Sequence, residues 1–297
     1  MRNISTWIFC LLYLLSQNAL SGSISAYITP EKFTEGMIWK IESGKTPPSY
    51  LMGTIHVDDP QVRALFAQAA EQFKKAETVC TEIKLDFKAV AAELEAMFFS
   101  DGQTLDSVLN DKVFYQKTVK LAGERGFPEA MVRHMKPFAL MFMLSMPHSE
   151  GEMLDAKIYS DAIRQGKQVC GLETLEEHSN VFKAFEMSDQ IKMLKITIEN
   201  IDEVDRLYPL LLKAYLDRDL VKLVDLVNNS MKLHDEAIET IFTQRLLIDR
   251  NKKMLMRMRP LVEKGNAFFA VGAMHLTGQA GLLRLLEAQG YTVTVVH

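Results

Sequence analysis

The chain has 297 residues, of which 48% are hydrophobic, and its formal net charge at pH 7 is -4. This length and this composition are sufficient to bury a large core in one or two domains. Charge is nearly balanced, and no basic stripe or cluster of lysine and arginine indicates nucleic acid as a partner.

The N-terminus has the features of a secretory signal peptide. Arg2 supplies a positive end, "WIFCLLYLLS" is a short apolar stretch, and small residues from Ser21 to Ala26 offer a cleavage site. The apolar stretch is shorter than the roughly 20 residues that a membrane span needs, although an uncleaved membrane anchor stays an alternative. We therefore predict a signal peptide over 1–26, a single mature domain over 27–297, and export to the periplasm or the extracellular space.

Two cysteines remain in the predicted mature chain, Cys80 and Cys170, because Cys10 would leave with the signal peptide. An oxidising compartment would allow them to form one disulfide. Both lie in strand-like apolar runs, where a free cysteine behaves as a small buried hydrophobic residue. The sequence alone therefore favours two buried free thiols, with the disulfide as the alternative.

The first predicted elements are two strands, a helix and a third strand. "EGMIWKIES" and "SYLMGTIHV" flank a turn at Lys45–Pro48 and are typical of a hairpin. Asp59 and Pro60 then mark the start of a helix, in which apolar residues recur at helical spacing as far as Ala76. The β-branched run "TVCTEIKL" is the next strand, so residues 50–85 predict a βαβ unit with parallel strands.

The rest of the chain combines long helical stretches with three further strands. Residues 86–165 are helical in pattern, with breaks at 101–102 and 126–128, and residues 175–264 are almost wholly helical. Strands are predicted at "KQVCGL", "NAFFAVGAMHL" and "YTVTVV". The predicted fold is α/β, with one central, mostly parallel sheet and a large helical portion.

Four polar side chains stand at or just beyond the ends of predicted strands: His56, Glu82, Glu173 and His275. In open α/β sheets, ligands bind outside the carboxyl ends of the strands. Each of the two histidines follows a glycine by three residues, in "GTIH" and "GAMH". A glycine at that place allows a tight turn and a close approach of the backbone.

These residue types match a divalent-metal site. Neutral imidazoles and carboxylates are the ligands of catalytic zinc and related ions, and the ion lowers the pKa of a bound water. The competing interpretation is that each histidine caps a strand end and each glutamate is solvated. Four other histidines lie in helical or loop segments without strand-end context and are predicted to be at the surface or partly buried: His134, His148, His178 and His234.

Other chemistries have little support in the sequence. It contains no G-x-S-x-G, P-loop or C-x-x-C motif, so a serine hydrolase, a P-loop NTPase or a thioredoxin is not indicated. The run "FALMFMLSM" has the spacing of a core helix and indicates a haem or lipid pocket only weakly.

The chain resembles the TraB/GumN family over about residues 36–297. The blocks that carry the resemblance are "YLMGTIHV", "ETVCTEIKL", "MKPFAL", "MLDAKIYSDAIRQGKQVCGLETLEEH", "RLLIDRNKKM" and "FFAVGAMHLTGQAGLLRLLEAQGYTVTVV". This family includes the pheromone-shutdown proteins, is related to the Tiki metalloproteases, and belongs with the erythromycin-esterase (EreA-like) and ChaN-like proteins. The resemblance implies an α/β fold of that type and a divalent-metal site built on two G-x-x-H motifs and glutamate.

The resemblance can be carried over position by position. The residues of this chain that match the family's motifs are His56, Glu82, Asp155, Glu173, Arg250, Asn251 and His275. Two positions differ: His178 stands where the family usually has glutamine, and Met274 stands where it usually has glycine. Neither difference removes a proposed ligand, but Met274 would change the shape of the pocket and His178 would add a further polar group to it.

We predict a metal-dependent hydrolase of amide or peptide bonds, acting on a peptide or protein substrate. His56, Glu82 and His275 would hold a zinc, manganese or cobalt ion. Glu173 would act as general base or orient a ligand histidine, and an exchange of roles between the two glutamates is an open alternative. Arg250 would stabilise a developing oxyanion or pair with a glutamate.

The alternative function is an exported protein that binds a peptide signal, a metal or haem without turnover, or that sequesters an exported factor. The membrane would be a partner only if the signal segment is retained, and the oligomeric state is not predicted.

Overall fold

The computed structural model describes residues 29–146, 151–180, 185–231 and 236–297. The predicted signal peptide, with Cys10, lies outside these residues, as do His148 and His234. Within the described part of the chain, no helix combines the length and the apolar character needed to cross a membrane.

The described strands are β1 Ile38–Glu42, β2 Ser49–Thr54, β3 Thr78–Ile83, β4 Gln168–Glu173, β5 Ala267–Gly272 and β6 Thr292–Val295. They form one sheet in the order β4-β3-β5-β2-β1-β6. Strands β2, β5, β3 and β4 are parallel, whereas β1 is antiparallel to both of its neighbours. The prediction of an α/β fold with one mostly parallel sheet is therefore confirmed.

The helices, in chain order, are α1 Pro60–Ala67, α2 Ala70–Lys75, α3 Phe87–Ala96, α4 Leu105–Leu109, α5 Lys112–Glu124, α6 Glu129–Val132, α7 Pro137–Ser145, α8 Leu154–Arg164, α9 Leu175–Asn180, α10 Met187–Glu199, α11 Ile201–Leu216, α12 Leu220–Met231, α13 Glu236–Thr243, α14 Asp249–Lys264 and α15 Leu282–Ala288. A π-helical turn, Gln244–Ile248, joins α13 to α14, and a 3₁₀ turn, Ala273–His275, follows β5. The helix α1 begins where the sequence predicted: the Asp59 side chain accepts a hydrogen bond from Gln61 N, and proline occupies the first turn.

Strand β5 lies between the two strands of the predicted βαβ unit. Strands β2 and β3 are indeed parallel, but each pairs with β5 and not with the other. Residues of β5 are buried along nearly the whole strand, as expected of a parallel strand that is covered on both faces. A segment from near the C-terminus therefore forms the centre of the sheet.

The buried apolar side chains of the described residues form two clusters. The sheet cluster includes Leu51, Phe268 and Phe269 and lies on the strands and their covering helices. The helical cluster includes Leu105 and Leu140 and lies among α4, α5, α6, α7 and α10. The run "FALMFMLSM" forms most of α7 in this second cluster, which confirms its interpretation as a core helix.

Cys80 and Cys170 form a disulfide bond between β3 and β4. They are partners in the parallel ladder, and their Cα atoms are 4.5 Å apart, within the range that a disulfide spans. The interpretation as two free thiols is wrong. The sequence shows that each cysteine lies in a strand, but the bond depends on which strands are neighbours and in what register.

Candidate metal centre

The two G-x-x-H motifs lie side by side at the carboxyl ends of β2 and β5. Thr54 pairs with Gly272 in the parallel ladder, so the two chain segments leave the sheet at the same edge. His56 lies two residues beyond the end of β2, and His275 ends the 3₁₀ turn after β5. The fold thus brings together two histidines that are far apart in the chain, as the sequence predicted.

Three of the predicted ligands surround the open side of Gly272. A Cβ atom at this glycine would lie 3.2 Å from Glu82 Oε1, 3.7 Å from His56 Nε2 and 3.7 Å from His275 Cδ2. Any side chain here would therefore fill the space among the imidazoles and the carboxylate. The glycine of this motif keeps that space open.

Gly53, the glycine of the first motif, has a different structural role. A Cβ atom there would lie 2.7 Å from Leu276 Cδ1 and 3.2 Å from Ala273 Cα. Gly53 therefore allows the two strand-end segments to pack against each other, and the Tyr215 hydroxyl fixes it further by donating to its carbonyl oxygen at 2.8 Å. The predicted close backbone approach is seen at this position.

His275 is held so that Nε2 faces the space beside Gly272. Its Nδ1 lies 2.6 Å from Asn251 Oδ1, and the Asn251 amide nitrogen donates to Ala280 O at 2.8 Å. The amide is thereby oriented with its oxygen toward the ring, so Nδ1–H donates and Nε2 keeps its lone pair. Burial lowers the pKa of His275 to about 3, which keeps this imidazole neutral. Nε2 lies 3.7 Å from Glu82 Oε1.

His56 has the opposite electrostatic environment. Its Nδ1 lies 2.8 Å from Asp155 Oδ2, and the other oxygen of Asp155 accepts a hydrogen bond from Thr54 Oγ1 at 2.6 Å. The negative charge of Asp155 raises the pKa of His56 to about 9. The side chain is 53% exposed, so it faces the solvent-accessible side of the site. At neutral pH, His56 is protonated when no metal is bound.

Arg250 bridges the two predicted glutamates. Its terminal nitrogen Nη2 lies 2.5 Å from Glu82 Oε2 and 2.6 Å from Glu173 Oε2, and Nε donates to Glu173 Oε2 at 2.8 Å. The other oxygen of Glu82 accepts from Gly272 N at 2.6 Å. The structure thus realises the predicted pairing of Arg250 with a glutamate, and it does so with both.

Glu82 stays ionised in this environment. Burial by itself would raise the pKa of the carboxyl group, but His275, Arg250, His56 and the Gly272 N–H together hold it well below its usual range. Burial also acts to lower the pKa of Arg250. The two glutamates outweigh this effect, so the pKa of Arg250 is raised and its guanidinium remains charged.

Glu173 lies deeper than the other site residues. Its side chain is 0% exposed, and it is not part of the cavity wall, whereas Glu82 and Arg250 are. One of its oxygens holds Arg250, and the other, Oε1, accepts no hydrogen bond within the part of the chain that the structure describes. Its contacts are therefore with Arg250 and not with the imidazoles.

The π-helical turn ends two residues before Arg250, which Asn251 follows. Such turns insert an extra residue into a helix and are frequent at functional sites. Both side chains are buried, and Arg250 Nη1 also donates to Leu246 O within the turn. No spacing in the sequence signalled this turn; only the resemblance pointed to these two residues.

The site forms the floor of a cavity of about 570 Å³. The polar groups that line it come from the strand ends and from α8, α9 and α14: Thr54, His56, Thr81, Glu82, Asp155, His178, Arg250 and His275. The walls are apolar and rich in methionine, leucine and phenylalanine: Ile55, Ile83, Leu85, Met97, Phe138, Phe142, Met146, Met153, Leu211, Leu223, Val227, Leu246 and Met274. His178 is partly buried, as predicted, and it lines the cavity, where the resemblance had indicated a further polar group.

No three His, Cys, Asp or Glu side chains among the described residues are spaced as a ready-made metal site. Their chemistry nonetheless fits a divalent ion. The region beside Gly272 contains two imidazoles and an ionised carboxylate, and each imidazole has its Nδ1 held by a partner. That second contact is typical of metal-binding histidines, because it fixes the tautomer and the ring orientation.

Fold and site together define an α/β protein with a histidine–glutamate centre at the carboxyl edge of its sheet. The model of the TraB/PrgY/gumN family matches residues 37–295, and the chain belongs to this family. The chain is 23% identical to Metalloprotease TIKI1 of Danio rerio, in a match that covers 89% of this chain and 64% of the relative.

Two further relatives have similar names. The chain is 23% identical to a Metalloprotease TIKI homolog of Nematostella vectensis, over 90% of this chain and 68% of the relative. It is also 23% identical to Metalloprotease TIKI1 of Homo sapiens, over 98% of this chain and 69% of the relative. The chain spans about two thirds of the length of these relatives, and they mark the family as metalloprotease-like.

Proposed function

We propose that this chain is a metal-dependent hydrolase of amide or peptide bonds, with a peptide or protein as its substrate. The observation that carries the proposal is the convergence of His56, Glu82 and His275 on the open side of Gly272, on the floor of a cavity. The names of the relatives support the same class of activity.

His56, Glu82 and His275 would hold the ion, and zinc, manganese and cobalt all suit such a donor set. The bound ion supplies a water whose pKa is near neutrality. His275 offers an unprotonated Nε2, because its Nδ1–H donates to Asn251. Glu82 is ionised, and His56 must give up the proton on its Nε2.

Arg250 is the charged group suited to stabilise negative charge on a substrate carbonyl oxygen. It lines the cavity, and it is rigidly oriented by its bonds to Glu82 and Glu173. For Glu173, these contacts favour a role in orienting Arg250 over the predicted role of general base. This assignment makes Glu173 a positioning residue and leaves Glu82 as the glutamate on the cavity wall.

The cavity walls suggest which part of a substrate binds beside the reacting bond. Apolar side chains from α7, α11 and α12 surround a polar floor, and the volume of about 570 Å³ is in the range of pockets for small ligands. We propose that an apolar side chain of the substrate occupies this space while its carbonyl group lies over the polar floor.

The test starts with the metal content of protein purified without chelator or metal-affinity resin, measured by elemental mass spectrometry. About one equivalent of a divalent ion is expected. The metal-containing protein is then expected to cleave peptides in a peptide-library assay. His56→Ala and His275→Ala should each remain folded and lose the metal and the cleavage. His134→Ala is the control, because this exposed histidine precedes α7 and is not part of the cavity wall.

Two results would overturn parts of the proposal. Full metal occupancy in both histidine variants would show that these side chains are not the ligands. Metal binding that depends on both histidines, with no cleavage of any peptide, would support the alternative of an exported binding protein.

We further propose that the protein is exported. The Cys80–Cys170 disulfide supports this, because such bonds persist mainly in oxidising compartments. N-terminal sequencing of the mature protein should find a cleavage site between Ser21 and Ala26. A full-length protein in the cytosolic fraction would contradict export.

A further inference from the structure

The Cys80–Cys170 disulfide is close to the candidate metal centre along both strands. Cys80 precedes Glu82 by two residues in β3, and Cys170 precedes Glu173 by three residues in β4. The two cysteines are ladder partners, and farther along the same ladder Ile83 pairs with Glu173. The bond therefore joins the two strands that carry the glutamates.

Strand β4 depends on β3 for its position in the sheet. It is the edge strand, so β3 is its only neighbour in the described sheet. The first half of β4 is exposed or partly buried, and only Leu172 and Glu173 are buried. An edge strand with little buried surface is among the parts of a sheet that open most readily. A covalent bond in the middle of this ladder opposes such opening.

Arg250 depends on the spacing of these two strands. Its bond to Glu82 Oε2 is 2.5 Å and its bond from Nε to Glu173 Oε2 is 2.8 Å, so one guanidinium spans β3 and β4. A shift of β4 relative to β3 would break one of these contacts. The shift would therefore change the orientation of the Arg250 guanidinium in the cavity wall.

We infer that the disulfide is a positioning element of the site: it locks β4 to β3 and thereby fixes the Glu82–Arg250–Glu173 bridge. Cys80 and Cys170 act through these residues, since neither cysteine lines the cavity. The inference rests on the proposed function only for what the bridge does in hydrolysis. The effect of the bond on the bridge is independent of any turnover.

The Nε–H of Arg250 reports on the bridge directly. In the metal-free protein, a buried N–H that donates to Glu173 should exchange with water slowly, and its ¹⁵N signal can be assigned by its loss in Arg250→Lys. In Cys80→Ala/Cys170→Ala, we expect this exchange to become at least about tenfold faster. The amides of β4 should also exchange faster, while those of the central strand β5 change little.

A matched control separates positioning from general loss of stability. Leu105→Ala removes a fully buried side chain from the helical cluster, which does not contain β3 or β4. This variant should leave the Arg250 Nε–H exchange rate within about twofold of the wild type. If the hydrolase proposal also holds, the double cysteine variant should lose kcat by about tenfold or more with little change in metal content.

Reduction of the wild-type protein provides a second route if the double variant does not fold. A trialkylphosphine breaks the S–S bond; phosphorus is oxidised to the phosphine oxide with the oxygen of one water, and the two sulfurs take its two protons. Faster Arg250 Nε–H exchange in the reduced, folded protein would support the inference. An unchanged rate in either the double variant or the reduced protein would overturn it, whether or not the protein is a hydrolase.

Discussion

The two histidines of the site differ in the groups that hold them. His56 contacts the carboxylate of Asp155 and is half-exposed, whereas His275 contacts the amide of Asn251 and is buried. The pKa of the first is raised to about 9 and that of the second is lowered to about 3. Near neutral pH the metal-free site therefore contains one protonated and one neutral imidazole, together with the ionised Glu82.

This difference predicts how metal affinity depends on pH. A metal must displace the proton of His56, so the affinity should rise about tenfold per pH unit from pH 7 up to the His56 pKa. Above that pKa, about 9, the affinity should level off. His275 should add no slope in this range, because its pKa is far below it. Competition with a chromophoric chelator at several pH values measures the profile.

Asp155→Asn is the control for this pH dependence. It removes the charge that raises the His56 pKa, so that pKa should fall toward its ordinary value and the plateau should begin at lower pH. An identical slope in the wild type and in Asp155→Asn would show that His56 is not the group that loses the proton.

The contact between Asn251 and His275 leads to a second prediction at the residue scale. In Asn251→Leu, His275 loses the acceptor for its Nδ1–H and becomes free to exchange tautomers, so metal affinity should fall by about 10–100-fold. Asn251→Asp keeps an oxygen acceptor at the same place and should retain most of the affinity. The ¹⁵N shifts of the His275 ring would show the tautomer directly. Unchanged shifts and affinity in Asn251→Leu would contradict the role.

At the residue scale, local patterns in the sequence identified the side chains at strand ends, whereas only the resemblance indicated their partners Asp155, Arg250 and Asn251. His56, Glu82 and His275 were recognisable because a strand followed by a polar residue is a local pattern. Arg250 and Asn251 lie in a helix, where one polar residue resembles another. Their position in the site depends on how α14 lies against β4, and no local pattern contains that information.

At the scale of the elements, the end of strand β5 must carry a glycine, Gly272, if the site is to stay open. Gly272 has an ordinary backbone conformation, with φ of -54°, so an alanine would fit the backbone. Its Cβ, however, would lie in the space beside Glu82 Oε1 and the two imidazoles. A substitution at Gly272 can therefore test the site without disturbing the fold.

Gly272→Ala should lose most of its metal affinity and remain folded, because the added methyl group occupies the space where the ligands converge. Gly123→Ala in helix α5 is the matched control, since a Cβ there meets no atom within 4 Å. It should keep full metal binding and gain about 0.5–1 kcal/mol in unfolding free energy. Metal titration and chemical denaturation measure both; full metal binding by Gly272→Ala would place the metal elsewhere.

Local signals located the elements, while their arrangement depended on distant contacts. Asp59 and Pro60 predicted the start of α1 because capping depends on adjacent residues alone. The insertion of β5 between β2 and β3, the register of Cys80 with Cys170 and the π-helical turn were not predicted. Each depends on pairing between segments or on a single extra residue in a helix, which periodicity does not reveal.

At the scale of the whole molecule, the cavity receives side chains from both hydrophobic clusters. Phe138 and Ala139 of the helical cluster and Leu223 of the sheet cluster all line it. Most of the polar groups of the floor lie in or just beyond the strands of the sheet, and the disulfide strengthens this sheet at its edge. The stability of the sheet cluster therefore bears directly on the site.

The disulfide should make a large contribution to this stability, because it closes a loop between residues 90 positions apart. Its loss in Cys80→Ala/Cys170→Ala should lower the unfolding free energy by about 2–4 kcal/mol. For a chain of this size, that corresponds to a fall of about 3–7 °C in melting temperature. Calorimetry of the oxidised wild type and the variant measures the difference. A reductant should lower the melting temperature of the wild type toward that of the variant and leave the variant unchanged. If the reductant shifted both equally, the stabilisation would have to come from elsewhere in the molecule, and the bond between β3 and β4 would be dispensable for the sheet.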